Sequence, residues 1–195
     1  KKRILINNIF GVDIDANAVE VTKLSLLLKC MEGETVASIR QQMSLFHERV
    51  LPDLDNNIKD GNSLIDTDFY DSEIELGYER KIKPFSWKKA FPDVFKQGGF
   101  DVVVGNPPYV NLVAIDEEQR NYFQKKFKTC KNKSDLYSFF IEKSISLIKK
   151  DESIFGFIVP HTWLATESFE LLRKLLIEGK LLEEIVEMGF KVFQD

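Results

Sequence analysis

The chain has 195 residues, 44% hydrophobic and 30% charged, which is long enough for one domain with a sizeable core. No run approaches the ~18 consecutive apolar residues of a membrane span, and Lys1–Asn8 is basic but has too short an apolar part for a secretory signal. The net charge of −4, from 31 acidic against 27 basic residues, argues against a domain whose whole surface grips phosphates. It leaves room for a module whose phosphate grip lies mostly in another domain.

Taken in chain order, strands and helices alternate, the pattern of an α/β protein. The apolar run Ile9–Ile14 predicts a buried strand with the carboxylate of Asp13 near its end. Asp15 is placed to cap a helix whose apolar positions Val21, Leu24, Leu28 and Met31 keep the 3.6-residue period, with Gly33 as its stop. A second helix is expected over Thr35–Phe46, then a short strand around Ile58 closed by Asp60-Gly61-Asn62-Ser63-Leu64. Residues 66–99 are the least regular part and read as a surface excursion, with Phe91 and Phe95 anchoring a short helix.

Phe100–Val104 is the clearest strand, and its unbroken β-branched run predicts burial on both faces, as in a parallel sheet. It runs into Gly105-Asn106-Pro107-Pro108-Tyr109, where the prolines end the ladder. A polar helix is expected from Asp116 to Phe127, followed by a lysine-rich turn at Lys128–Lys133. Ser134 or Asp135 can cap a long helix to Lys149, apolar on most sides and therefore buried. Ile154–Val159 predicts another buried strand, stopped by Pro160. Thr166 is placed to cap a helix with Phe169, Leu172 and Leu176 inward and Gly179 at its end, and Glu184–Met188 reads as a last strand.

Cys30 and Cys130 are far apart without metal-like spacing, and His47 and His161 are equally isolated. A reduced, cytoplasmic protein with no metal site follows as the expectation.

Chemistry concentrates at Asn106-Pro107-Pro108-Tyr109, because open α/β sheets gather ligands beyond the carboxyl ends of their strands. An exocyclic amine such as that of adenine is a poor nucleophile, its lone pair being delocalised into the ring. Two acceptors can hold its hydrogens out of plane and stabilise the positive charge that develops on attack. The side-chain oxygen of Asn106 and the carbonyl of Pro107 suit that work, and successive prolines aim the carbonyl in advance. Tyr109 supplies a face on which an extruded base can stack, worth ~1–3 kcal/mol. The plainer reading of the same four residues is a turn that ends a strand.

Phe100–Tyr109 (FDVVVGNPPY) resembles the catalytic motif of the adenine-N6 class of S-adenosylmethionine-dependent amino-methyltransferases. Gly11–Asp15 (GVDID) is similar to the segment where that family binds the cofactor ribose, and Asp60–Leu64 (DGNSL) to the segment beside the cofactor adenine. Asp135–Lys143 (DLYSFFIEK) and Gly156–Leu164 (GFIVPHTWL) complete a set that resembles the type IIG restriction–modification methylases, in order along nearly the whole chain.

The resemblance implies a Rossmann-like sheet with helices on both faces, and S-adenosyl-L-methionine as cofactor. By it, Asp13 binds the ribose hydroxyls and Ile14 packs on the cofactor adenine. Asn62 contacts the adenine amino group where the family often has Asp, and Ser63 and Leu64 belong to the same pocket. The catalytic set is Asn106, Pro107, Pro108 and Tyr109. Asp13 also has a bland reading as a capping or surface carboxylate. The family's Gly-rich turn, first strand, C-terminal strand and target-recognition domain are expected outside residues 1–195, which makes this a partial catalytic domain. Such a segment is expected to be inactive alone and open to self-association through unpaired edges.

The implied parent is a site-specific DNA adenine-N6 methyltransferase that flips its target base and meets double-stranded DNA through its recognition domain, with no membrane role. The same motif also serves methylation of protein glutamine or of RNA, and a non-catalytic methylase-fold scaffold in phage defence is a third reading. Trp163 reads as core or lid before a stacking platform, and Tyr137 and Phe139 as packing for their helix. The lysines of 125–133 read as a solvated face or, less simply, as phosphate contacts.

Overall fold

The computed structural model describes residues 1–35, 52–71, 82–131 and 133–189. They form two compact units, Lys1–Pro92 and Asp93–Asp195, each an assembly of helices with a small parallel strand pair.

In the first unit, helix α1 (Lys2–Asn8) leads into strand β1 (Gly11–Asp13) and helix α2 (Ala16–Met31). The Asp15 carboxylate caps α2 by accepting from Asn17 N at 2.8 Å, as the sequence predicts. Strand β2 (Ile58–Asp60) pairs parallel with β1 in the register Gly11↔Ile58, Val12↔Lys59, Asp13↔Asp60. Buried Asn57 ties this arrangement together: its Nδ2 donates to the carbonyls of Ile6 (2.7 Å) and Ile9 (2.8 Å), and Gly11 N donates to its backbone oxygen (2.9 Å). Leaving such a buried amide without partners costs about 1–3 kcal/mol.

The core behind the strands is Leu5, Val19, Leu54 and Ile58, with Leu26, Leu27 and Cys30 against it. This corrects the expected inward face of α2, because Val21, Leu24 and Leu28 are exposed, Leu28 by 62%. The helix is apolar around much of its circumference, so the 3.6-residue period has no unique face to select. Contact with the strands selects it instead. The β1 strand is also shorter than Ile9–Ile14, and the helix expected at Thr35–Phe46 lies outside the described residues apart from Thr35.

The supposed surface excursion is partly core. Ile82, Phe85 and Phe91 are buried, and Pro84 forms a parallel bridge with Asn62. A 3-10 helix covers Thr67–Asp71, and two short helices replace the single expected one: α3 (Trp87–Ala90) and α4 (Pro92–Lys96). Pro92 has no N–H to continue α3, so it starts α4 afresh with Phe91 packed at the break. Phe91 meets Phe10 edge-on at 5.3 Å, and Lys59 Nζ lies 5.8 Å from its ring centre on the strand face opposite Ile58.

In the second unit, strand β3 (Val102–Gly105) pairs parallel with β4 (Ile154–Phe157) from Val102↔Ile154 to Gly105↔Phe157. Between them lie helix α5 (Glu117–Lys126) and the buried helix α6 (Leu136–Leu147), both close to their predicted bounds. After β4 come 3-10 turns at His161–Leu164 and Glu167–Phe169, then helix α7 (Glu170–Glu178). Tyr137, Ile141, Trp163, Phe169, Leu172 and Leu176 make the core, with Phe155 and Phe157 of β4 packed on it. Trp163 is therefore a core residue. Phe139 stacks on Phe127 at 5.1 Å, so it too packs its helix.

Four expectations fail here, among them the buried strand expected over Ile154–Val159: β4 ends at Phe157, and Ile154 and Ile158 are exposed. Val102 (56% exposed) and Val104 (77%) show that β3 is not buried on both faces. One face of the pair meets α6 through Phe155 and Phe157, whereas the alternate residues, including Ile154 and Ile158, are exposed. Glu184–Met188 forms no strand, because a strand exists only with a ladder partner and none pairs with it among the described residues. Thr166 precedes a 3-10 turn without a side-chain capping bond, and α7 begins only at Glu170.

Candidate functional site

In the first unit the carboxyl ends of β1 and β2 lie side by side, which brings Asp13 and Ile14 next to Asp60-Gly61-Asn62. Gly61 N donates to Asp13 O at 2.8 Å and so extends the ladder past Asp60. Asp13 is exposed, and its Oδ1 accepts from Asp15 N at 2.8 Å, which turns the chain into α2. Ile14 is 52% exposed, a high value for a side chain of that size at a strand end.

Asn62 makes the matching turn on β2: its Oδ1 accepts from Leu64 N at 3.1 Å, and its backbone N donates to Lys83 O at 2.7 Å. Ser63 is half-buried and gives its carbonyl to Trp87 Nε1 at 3.1 Å. Leu64 is buried, so its side chain supports the turn from below. Gly61 is required by close approach, since a Cβ there would lie 2.7 Å from Phe85 Cδ2.

The residue that sequence reasoning missed is Lys83. Its Nζ donates to Ile14 O at 3.0 Å and stands 3.7 Å from Asp60 Oδ2, a strap across both strand ends. Nothing in an irregular stretch marks one lysine for that place. The pairing of Asn62 with Pro84 brings it there.

In the second unit β3 ends at Gly105 and the next four residues are Asn106, Pro107, Pro108 and Tyr109. A Cβ on Gly105 would meet Phe157 Cε1 at 2.7 Å, so glycine lets that ring lie across the strand end. Pro107 is buried; Asn106 and Pro108 are exposed. Tyr109 is 47% exposed and held at both its polar and apolar parts. Its Oη donates to Ile158 O (3.0 Å) and lies 3.2 Å from Asn106 Oδ1, and its ring meets Tyr137 edge-on at 6.4 Å. Burial pushes the Tyr137 hydroxyl's pKa up, the Thr162 hydroxyl opposes this, and Asp135 adds to it. Tyr137 therefore stays neutral.

The chain beyond Tyr109 is pinned to the start of α6. Leu136 N donates to Val110 O (2.9 Å), and Asn111 Nδ2 donates to Asp135 Oδ1 (2.9 Å) and Lys133 O (3.0 Å). This explains why Asp135, at the cap position of α6, does not cap it: its carboxylate serves Asn111 instead. Arg120 of α5 fastens the following turn by donating to Ile115 O at 2.8 Å.

Among the described residues no group of three His, Cys, Asp or Glu is placed to hold a metal, and no helix is long and apolar enough to cross a membrane. His161 is exposed, and His47 lies outside the described residues. Cys30 and Cys130 are free thiols; burial, then Glu142, pushes the Cys130 thiol up to about 11.

Two parallel strand pairs with helices between their strands define an α/β protein. The family model of the Eco57I restriction-modification methylase matches residues 7–193, and the chain belongs to that family. The chain is 33% identical over 192 residues to the type II restriction enzyme and methyltransferase RM.Eco57I of Escherichia coli, covering 97% of this chain and 18% of that protein. It is similar to the type II methyltransferase M.TthHB8I of Thermus thermophilus, at 37% identity over 89 residues, 42% of this chain and 21% of the relative. The adenine-specific methyltransferase BrxX of Escherichia coli is 29% identical over 97 residues, 48% of this chain and 8% of BrxX. The chain thus spans about a fifth or less of the length of these relatives.

Proposed function

We propose that the chain is the catalytic segment of a restriction–modification methyltransferase that transfers a methyl group from S-adenosyl-L-methionine to N6 of adenine in duplex DNA. The braced Asn106–Tyr109 loop carries this reading: an exposed carboxamide oxygen and a half-exposed aromatic ring, both fixed at a strand end. The type II methyltransferase names of the relatives support a DNA substrate, and the name of BrxX supports adenine.

In this mechanism the target base leaves the stack and rests on Tyr109, whose orientation is set by Ile158 O and the edge of Tyr137. Asn106 Oδ1 and Pro107 O accept the two amino hydrogens. Asn106 Oδ1 has a second lone pair beside the one that meets Tyr109 Oη, so both contacts can coexist. As N6 is attacked, these fixed dipoles face the growing positive charge without having to reorganise. Neither acceptor is basic, so the released proton passes to water at the exposed rim.

The donor set of the first unit fits the cofactor. Asp13 offers an outward carboxylate to a ribose diol, Ile14 an exposed apolar surface to an adenine ring, and Asn62 and Ser63 amide and hydroxyl groups beside it. Leu64 contributes as support for that turn. Bound S-adenosylmethionine supplies a methyl group activated on a sulfonium. A Rossmann-like sheet completed by further strands is part of the same reading, supported by the parallel pairing of both strand pairs.

The test uses the full-length protein that carries this segment, methyl-labelled cofactor and unmethylated bacteriophage DNA, with nucleosides separated after digestion. Label in N6-methyladenine, lost in Asn106→Ala, is the expected result. Label in protein or RNA, or none at all, refutes the proposal.

A further inference from the structure

Residues 124–134 carry five lysines and no carboxylate, in a chain whose net charge is −4. Several lysines elsewhere are matched to acids: Lys23 to Asp55 (2.6 Å), Lys96 to Asp93 (2.8 Å), Lys149 to Asp101 (2.5 Å) and Lys174 to Glu170 (2.8 Å). Within the basic segment, Lys131 pairs with Glu170 at 2.9 Å, and Lys126 lies 5.7 Å from the Tyr122 ring centre. Lys125, Lys128 and Lys133 are exposed and make no ion pair among the described residues. The nearby acid Glu142 forms no ion pair with them among the described residues; its two oxygens accept from the backbone of Lys128 and Thr129, each at 2.9 Å.

A solvated charged loop needs no frame, yet this one has a built frame. Phe127, Thr129 and Ser134 are buried between the lysines. Phe127 packs on Phe123 and Phe139, and Ser134 Oγ accepts from Lys131 N at 3.0 Å. The segment is also bonded to the chain that directly follows Tyr109. Asn111 Nδ2 donates to Lys133 O (3.0 Å), and Leu112 N to Ser134 O (2.9 Å). The unpaired ammonium groups and the Asn106–Tyr109 loop therefore belong to one hydrogen-bonded assembly.

We infer that Lys125, Lys128 and Lys133 form a phosphate-binding edge that seats the backbone of duplex DNA beside the Asn106–Tyr109 loop. The inference rests on the DNA reading above and adds to it residues of this segment that hold the substrate. Phosphate contacts position without reading sequence, so the edge serves any target site. It also accounts for an acidic chain handling a polyanion: the contact is confined to one strip whose five lysines outnumber the two carboxylates, Glu142 and Glu170, bonded to it.

The experiment measures binding of the full-length protein to a short duplex by fluorescence anisotropy between 50 and 200 mM KCl. Each phosphate contact adds ~0.9 to the slope of log affinity against log salt. Lys125→Ala, Lys128→Ala and Lys133→Ala are each expected to flatten that slope by about 0.9, which is about 3.5-fold less affinity loss over this fourfold salt range. The triple Lys→Arg variant keeps the charge and should keep the slope. Lys150→Ala, an exposed lysine elsewhere in the same unit, removes equal charge and should leave the slope alone.

A triple alanine variant with the wild-type slope overturns the inference, as does an equal flattening by Lys150→Ala. Methyl transfer to DNA is followed in parallel with the wild-type protein. Transfer with an unchanged slope sinks the edge alone, whereas a flattened slope without transfer supports the edge and sinks the methylation reading. Absence of duplex binding by the wild type sinks both.

Discussion

The two strand ends solve the same problem with different chemistry. Beyond β1 and β2 the chain turns on side-chain oxygens: Asp13 accepts from Asp15 N, and Asn62 from Leu64 N. Beyond β3 it turns on two prolines and a tyrosine tied to Ile158 O. The first end presents a full negative charge, strapped by the cation of Lys83. The second presents only neutral acceptors. On the proposed reading the cofactor reacts only at its sulfonium, so its ribose and adenine tolerate a fixed charge beside them and gain affinity from it. A reacting amine needs dipoles that match a charge only as it develops, since binding the ground state equally well gives no acceleration of the chemical step.

The strand pairs beneath these loops differ as well. Side chains meet both faces of β1–β2 within its unit, through Val19 and Leu54 on one side and Phe91 on the other. The β3–β4 pair leaves Val102, Val104 and Ile154 exposed. Rigidity at the Asn106 end therefore owes more to the loop itself, to its prolines and its bonds to α6, than to two-sided burial.

The contrast breaks most sharply at Asn106. Its replacement by alanine should lower methyl transfer by about 10²–10³-fold, the cost of removing one preorganised polar contact to a transition state. Its exposure predicts an unchanged melting temperature, so loss of fold together with activity would contradict the assignment. Asp13→Asn keeps a turn-forming side chain but drops the charge. Calorimetry should then give cofactor affinity lower by about 10–100-fold, with the DNA affinity of the full-length protein intact.

Gly105→Ala and Gly61→Ala probe the supports under each loop. Each new Cβ would sit 2.7 Å from a phenylalanine ring atom, of Phe157 or Phe85. Urea titration should show a loss of about 1–3 kcal/mol for each, the usual cost of overpacking. Tyr109→Phe keeps the stacking ring but loses the one hydroxyl hydrogen, which Oη donates to Ile158 O with Asn106 Oδ1 nearby. Transfer should fall by up to about tenfold, because a neutral hydrogen bond contributes about 0.5–1.5 kcal/mol. Tyr109→Ala removes the platform and should cost more.

The smallest effect concerns the basic strip. Lys131, then Lys174, holds the Glu170 carboxyl down at about 2. A depressed carboxyl stabilises the fold fully above its ordinary pKa, near 4.5, and loses that contribution as pH falls towards 2. The melting-temperature difference between wild type and Glu170→Gln should be flat from pH 7 to about 5 and shrink below that. A difference that grew with acid would contradict the ion-pair account.

Much of the local structure was legible in residue order. Asp15 as a cap, the burial of α6, the run from β3 into Asn106-Pro107-Pro108-Tyr109, and the inward Phe169, Leu172 and Leu176 all follow from period, capping chemistry and proline geometry. These are properties of a few neighbouring residues. What failed were inferences about which particular face or stretch a distant partner covers. The outer face of α2, the bare face of β3, the absent ladder at Glu184–Met188 and the buried aromatics of the 82–91 stretch depend on residues distant in sequence.

The candidate site divides the same way. Its residue types and their places at strand ends were written in sequence. The tie of Tyr109 to Ile158, the service of Asp135 to Asn111, and the arrival of Lys83 beside Ile14 were decided only in three dimensions. Propensity and period act over one or two turns of chain. Which face is covered, and which oxygen a side chain is left free to serve, depends on what the rest of the chain brings against it.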